Sequence, residues 1–143
     1  REANDEREML KLLYQTMRAL INEKIPNRLI RYIYELKAIC INGEAPQVFQ
    51  CVVCGDKERP GKFSTLKGGK VCTHCIRDVY DGLELDPSTW YTLQYIESAK
   101  VEHLYNFTVS DLVLRELAMV MGRYMDVYVD HQFKSLEILK LMT

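Results

Sequence analysis

Cys51-Val52-Val53-Cys54 and Cys72-Thr73-His74-Cys75 are two Cys-x2-Cys pairs separated by seventeen residues, 55–71. That spacing lies inside the window that brings four thiolates to one zinc ion. Two thiolates separated by two residues grip one side of a tetrahedral ion from a tight turn. A second pair, carried back by a hairpin, closes the other side. Gly55, directly after the first pair, gives the turn room to curl. Two disulfides would suit a secreted framework, which an odd count of five cysteines fits poorly. A redox Cys-x-x-Cys would leave the second pair without a role. The pattern therefore predicts one zinc ion on Cys51, Cys54, Cys72 and Cys75. Four sulfur ligands leave no open position for water, so the ion is expected to be structural, not catalytic. His74 sits between two ligands and could replace one of them, but reads as a bystander on the turn.

Outward from the cysteines, residues 44–82 form a stretch rich in Gly55, Gly61, Gly68, Gly69, Pro46 and Pro60. Thr65 to Val71 reads as a short hairpin with a glycine turn. The stretch is too polar to build a core of its own, so something besides hydrophobic burial must hold it together. Lys57, Arg59, Lys62, Lys67, Lys70 and Arg77 outnumber Asp56, Glu58 and Asp78 there. A divalent ion among four thiolates leaves a site charge of about −2. The basic excess is thus read equally well as charge compensation or as a DNA-binding patch.

Helical patterns flank the insert on both sides. Residues 2–24 carry Met9, Leu13, Met17, Leu20 and Ile21 at helical spacing. Pro26 fits the first turn of a second helix, running to about Ile41 with Leu29, Ile30, Ile33, Leu36, Ile39 and Cys40 as its apolar stripe. Asn42-Gly43 supplies the stop. Asp86-Pro87-Ser88 opens a third helix to about Ser98, with Asp86 as N-cap. Thr108-x-x-Asp111 resembles a capping box ahead of a fourth helix to about His131, and Leu136 to Met142 reads as a short tail. The predicted fold class is mainly α: one helical domain over 1–143, of four or five helices, with an inserted four-cysteine zinc ribbon at 46–82.

Composition narrows the function classes. With 19 basic and 20 acidic residues the net charge is −1, so nothing resembles a polycation wrapped on nucleic acid. No run approaches the ~18 apolar residues of a membrane span, no signal segment opens the chain, and a reducing cytoplasm is expected. A start at Arg1 in helix-like sequence reads as a fragment of a longer chain. Cys40 is read as a small buried hydrophobe, and His103 and His131 as solvated or hydrogen-bonded. The tyrosines are read as helix-packing side chains with their hydroxyls outward. No nucleophile elbow and no phosphate loop is present, so no enzyme activity is expected.

The segments Tyr34-Glu35-Leu36, Gly43-x-Ala45-Pro46, Cys51-x-x-Cys54-Gly55, Phe63-Ser64, Gly69-x-Val71-Cys72, Cys75 and Leu85-x-Pro87 resemble, in order and spacing, the middle of the bacterial RecO DNA repair proteins. The stretch Tyr124-x-x-Tyr128 with Lys134-Ser135-Leu136 is similar to the family's ending, and the likeness runs over roughly residues 28–139. The resemblance implies an N-terminal OB-fold, absent from this chain, ahead of a helical domain that holds the zinc site. It implies a part in recombinational repair: binding single- and double-stranded DNA, annealing strands and loading recombinase. The implied protein partners are RecR and the acidic C-terminal tail of the single-strand-binding protein, and the implied zinc ligands are Cys51, Cys54, Cys72 and Cys75. The family's His-Leu-Gly-Arg step is replaced around Val129-Asp130-His131, which weakens a basic contact there. Arg31, Arg115, Arg123 and Lys134 are the candidates for meeting an acidic tail or phosphates. A zinc-ribbon adaptor of unrelated, for example transcriptional, function and a thiol-redox enzyme are the competing classes.

Overall fold

The structure is a computed structural model that describes the backbone of residues 2–142 and the side chains of residues 3–129. Four helices are present among them: α1 (Glu2–Asn22), α2 (Asn27–Ile41), α3 (Pro87–Ser98) and α4 (Asp111–Met142). Between α2 and α3 lies an antiparallel hairpin of β1 (Gly61–Ser64) and β2 (Gly69–Cys72), with Gly61 opposite Cys72 and Ser64 opposite Gly69. The architecture is mainly α with a small two-stranded insert, as the sequence predicts.

Helix α2 is the axis of the bundle and packs against α1, α3 and α4. Its predicted stripe is the observed one: Leu29, Ile30, Ile33, Leu36 and Ile39 are all buried, and Cys40 is half-buried with its thiol directed at the Glu97 carbonyl, 3.6 Å away. Pro26 stands one position earlier than predicted. Its extended ψ of 139° makes it the cap, and its carbonyl accepts from Ile30. Gly43, at φ 79°, ends the helix in the left-handed conformation that glycine tolerates best.

Three further details differ from the sequence reading. On α1 the core receives Leu12 and Ala19, while Leu13, Met17, Leu20 and Ile21 of the predicted stripe stay exposed. This helix is apolar on two sides, and only one of them meets α2. Ahead of α4 the cap is Ser110 and not Thr108: the Ser110 hydroxyl accepts from the Val113 amide at 3.3 Å. Asp111 is already helical, which moves the cap to its neighbour. The predicted break near His131 is absent, and one helix runs through to Met142. The Asp86 cap stands as predicted, with its carboxylate accepting from Ser88 at 2.9 Å.

The third helix ends over a buried lysine. Lys37 of α2 donates to the carbonyls of Glu97 at 3.0 Å and Ala99 at 2.6 Å, groups that a helix C-terminus leaves unpaired. Glu97 is largely buried beside it, and Oε2 finds no partner among the described residues. Burial pushes the Glu97 carboxyl up to about 8, against the pull of the Lys37 ammonium. A carboxyl that keeps its proton longer in the folded than in the unfolded chain destabilises the fold as pH rises. Stability should therefore fall between about pH 4.5 and pH 8 on account of this group. Glu97→Gln is expected to raise the melting temperature by a few degrees at pH 8 and to leave it nearly unchanged at pH 5. An equal shift at both pH values would remove the protonation argument.

Candidate metal centre

The insert is built as two turns facing each other across the hairpin. After Cys51 the chain curls so that the Gly55 amide donates to the Cys51 carbonyl at 2.9 Å, and the Cys51 amide donates to the Asp56 carbonyl at 2.8 Å. Gly55 takes φ 78°, a left-handed conformation that lets the turn curl. The second turn leaves β2 at Cys72, and the Cys75 amide closes it on the Cys72 carbonyl at 2.9 Å. Two strut residues keep the turns in place. The Asp56 carboxylate accepts from the amides of Glu58 and Arg59, the latter at 2.6 Å. The Asp81 carboxylate accepts from the Ser64 hydroxyl at 2.6 Å and the Leu66 amide at 2.9 Å, which pins the hairpin turn. Neither strut was visible in the sequence pattern, because each acts through a fold-dependent contact.

The four predicted sulfurs converge. Cys51, Cys54, Cys72 and Cys75 place their Sγ atoms within 4.8 Å of one another, and Cys54 Sγ lies 3.7 Å from Cys72 Sγ. A disulfide would need about 2.0 Å. Four sulfurs held at ~2.3 Å from one tetrahedral ion stand about 3.8 Å apart, so the group has the right size for such an ion. His74 is exposed and outside the group. Cys51 and Cys72 are buried and Cys54 is exposed, so the ion would sit at the edge of a small apolar cluster of Cys51, Val71 and Cys72 backed by Val52, Cys75, Ile76 and Val79.

The electrostatics of the bare thiols are divided. Burial pushes the Cys51 thiol up, but backbone amides of Cys54, Cys72 and Val53 outweigh it and hold it near 6. The amides of Val53 and Cys72 lie 3.4 Å and 3.3 Å from its sulfur. Burial and the neighbouring sulfurs push Cys75 the other way, to about 12. One thiolate thus forms readily and discourages the last. Arg59 adds a positive group beside them, with Nη1 4.0 Å from Cys54 Sγ and 3.8 Å from Asp56 Oδ1. This is direct support for charge compensation by at least one of the basic residues around the site.

The hairpin carries the site onto the helices. Phe63 of β1 is fully buried and meets the Trp90 ring of α3 at 6.2 Å and the Tyr124 ring of α4 at 6.3 Å. Its backbone also pairs with Leu83 through two bonds of 2.9 and 2.8 Å. At the opposite edge Gln47 crosses Gly69 so closely that a Cβ there would lie 2.1 Å from the Gln47 carbonyl oxygen, which only glycine permits.

The predicted partner-binding residues are placed less decisively. Arg31 is exposed on α2 and pairs with Glu35 at 3.2 Å. Arg115 and Arg123 are exposed on α4, without an ion pair among the described residues. The Lys134 and His131 side chains lie outside the described residues. A groove of about 680 Å³ between α3 and the loop entering α4 is lined by Tyr91, Tyr95, Phe107 and Val113 with polar neighbours, and by no lysine or arginine. Sequence reading had not located it.

Comparison of the sequence with known proteins places the chain in a family. The profile of the family described as Recombination protein O C terminal matches residues 1–137. The chain belongs to the RecO family. The DNA repair protein RecO of Thermoanaerobacter sp. (strain X514) is 30% identical over 135 residues, covering 94% of this chain and 54% of the relative. The RecO of Bacillus pumilus (strain SAFR-032) is 30% identical over 135 residues, covering 94% of this chain and 52% of the relative. That of Acetivibrio thermocellus is 30% identical over 121 residues, covering 84% and 48%. The chain thus spans about half the length of the RecO proteins it matches, and the matched half is the C-terminal one by the family's description. No solved structure matches it.

For this RecO domain the expected consequence of losing one sulfur is local. Cys75→Ser should make residues 48–82 sensitive to a protease that leaves the same segment of the parent chain intact, while most of the far-ultraviolet helical signal persists. Unchanged protection of that segment would show that no metal organises it.

Proposed function

We propose that this chain is the metal-stabilised, partner-binding half of a DNA repair and recombination mediator, working by binding and not by catalysis. The carrying observation is the family match over residues 1–137. The proposed ion is zinc, one per chain. Four thiolates in paired turns suit a soft tetrahedral ion, and a site closed by four protein sulfurs offers substrate no coordination position. Cys51, Cys54, Cys72 and Cys75 would hold it, and its role there is to let all four sulfurs be thiolates at once. Elemental analysis of the purified chain is expected to give about one zinc and little iron. Iron at that stoichiometry would overturn the assignment.

The proposed partners are those of the family: the acidic tail of the single-strand-binding protein, RecR, and single- and double-stranded DNA, with DNA contact mainly through the half of the relatives that this chain does not match. Strand annealing and recombinase loading would need both halves. The groove of Tyr91, Tyr95 and Phe107 offers a seat for the ring of a tail that ends in Phe. Arg115, exposed on α4 but not part of the groove lining, is the proposed partner of the tail's carboxylates outside the groove. No described helix is long and apolar enough to cross a membrane, in keeping with the proposed cytoplasmic setting. An acidic peptide ending in Phe should bind in a fluorescence anisotropy titration, weaken as salt rises, and weaken several-fold on Arg115→Glu. Absence of binding at low salt would count against the mediator reading itself. Binding that ignores Arg115→Glu would count only against the part given to Arg115.

A further inference from the structure

Of the four clustered cysteines, Cys54 is the one at the surface. Cys51 and Cys72 are buried and Cys75 is half-buried, whereas Cys54 is exposed. Hydrogen bonding separates the sulfurs further. The Cys51 sulfur accepts from the amides of Val53 at 3.4 Å and Cys72 at 3.3 Å, and lone pairs engaged in this way are less available to an oxidant. The groups bonded to the Cys54 sulfur are side chains, Cys72 Sγ at 3.7 Å and Arg59 Nη1 at 4.0 Å. Arg59 is held toward the site by Asp56, whose Oδ1 lies 3.8 Å from Nη1 and whose Oδ2 accepts from the Arg59 amide at 2.6 Å. A reversible thiol oxidation needs an attacking sulfur, a donor to the departing oxygen and a resolving sulfur. Cys54, Arg59 and Cys72 supply the three.

We propose that Cys54 is an oxidant-modification site, at which a hydroperoxide joins Cys54 to Cys72 in a disulfide and so withdraws two ligands from the metal. The inference rests on the four-sulfur metal reading and adds a reactivity to it. In the first step the Cys54 sulfur attacks one oxygen of hydrogen peroxide. An S–O bond forms, the O–O bond breaks, and hydroxide departs toward the Arg59 guanidinium. In the second step the Cys72 thiolate attacks the sulfur of the resulting Cys54 sulfenic acid. An S–S bond forms, the S–O bond breaks and a second hydroxide departs. The two thiolates give up two electrons and the peroxide takes up both, so no further reactant is required. The sulfurs close from 3.7 Å to about 2.0 Å in the process. Cys51 and Cys75 alone do not complete a tetrahedral site, so the ion leaves and the tip of the insert loosens. The base is untouched, because Phe63 packs on Trp90 and Tyr124 without help from any sulfur. Oxidation therefore frees residues 51–60 and 73–79 and spares the helices.

The test treats the zinc-loaded chain with hydrogen peroxide, follows zinc release with a chromogenic chelator, and maps linkages by mass spectrometry after blocking free thiols. Zinc should leave in step with a Cys54–Cys72 linkage, and a dithiol with added zinc should reverse both. Cys54→His keeps a set of three cysteines and one histidine, which zinc accepts, and should slow release at least tenfold. Cys75→His, with the same ligand count, should release zinc at close to the parent rate. Arg59→Gln leaves all four sulfurs in place and should slow release several-fold. If Cys54→His does not hold zinc, the parent's linkage map and Arg59→Gln decide the matter. A chain that takes up no zinc overturns the metal reading and this proposal together. A zinc-loaded chain that keeps its metal under peroxide overturns this proposal alone. So does one that loses its metal through a linkage made by Cys51 or Cys75, or at a rate indifferent to Arg59→Gln.

Discussion

Four sulfur atoms within 4.8 Å of one another are an electrostatic problem before they are a ligand set. A first thiolate is easily made at Cys51, where backbone amides hold the thiol near 6, but Cys75 is driven to about 12 by burial and by its neighbours. A cation at the centre would let all four ionise together, because each thiolate would then face a divalent charge and not three anions. The apparent binding free energy of a structural zinc, roughly 10–16 kcal/mol, is large beside the few kcal/mol that a cluster of Cys51, Val71 and Cys72 provides. With such an ion bound, coordination rather than burial would organise this end of the insert.

The other end of the hairpin obeys a different rule. Phe63 is buried among Trp90 and Tyr124, and Val48, Leu83 and Leu85 belong to the same core as α2 and α4. Burying a phenylalanine is worth about 1.5–3 kcal/mol, a contribution independent of any ion. The insert thus has two ends of different chemistry, clustered cysteine sulfurs at its tip and aromatic packing at its base. Backbone pairing of Gln47 with Gly68 and Lys70, at 2.9 and 2.8 Å, joins them into one rigid arm.

What the sequence disclosed and what it withheld follow from the range of the interactions. The convergence of Cys51, Cys54, Cys72 and Cys75 was legible because two Cys-x2-Cys turns write it into local spacing. The Asp86 cap and the Gly43 stop were legible because both act within a turn of chain. The Ser110 cap was missed through competition among Thr108, Ser110 and Asp111 within a few residues, where the helix start is decided by packing. Lys37 reads in sequence as a solvated charge. It is buried only because α3 happens to end above it, with the carbonyls of Glu97 and Ala99 pointing down. The groove of Tyr91, Tyr95 and Phe107 is likewise a product of α3 meeting a distant loop.

Helix α1 carries this lesson furthest. Hydrophobic periodicity reports that a face is apolar, not which element will cover it. On this helix the stronger periodic signal, Leu13, Met17, Leu20 and Ile21, is the exposed one, and the buried side is made by the sparser pair Leu12 and Ala19. A small residue such as Ala19 lets helices approach closely, so the intramolecular contact can be tight with few large side chains. The larger side chains are left on the outside, at the spacing one helix uses to bind another. A sequence shaped only by the fold of these residues would have made that outer face polar.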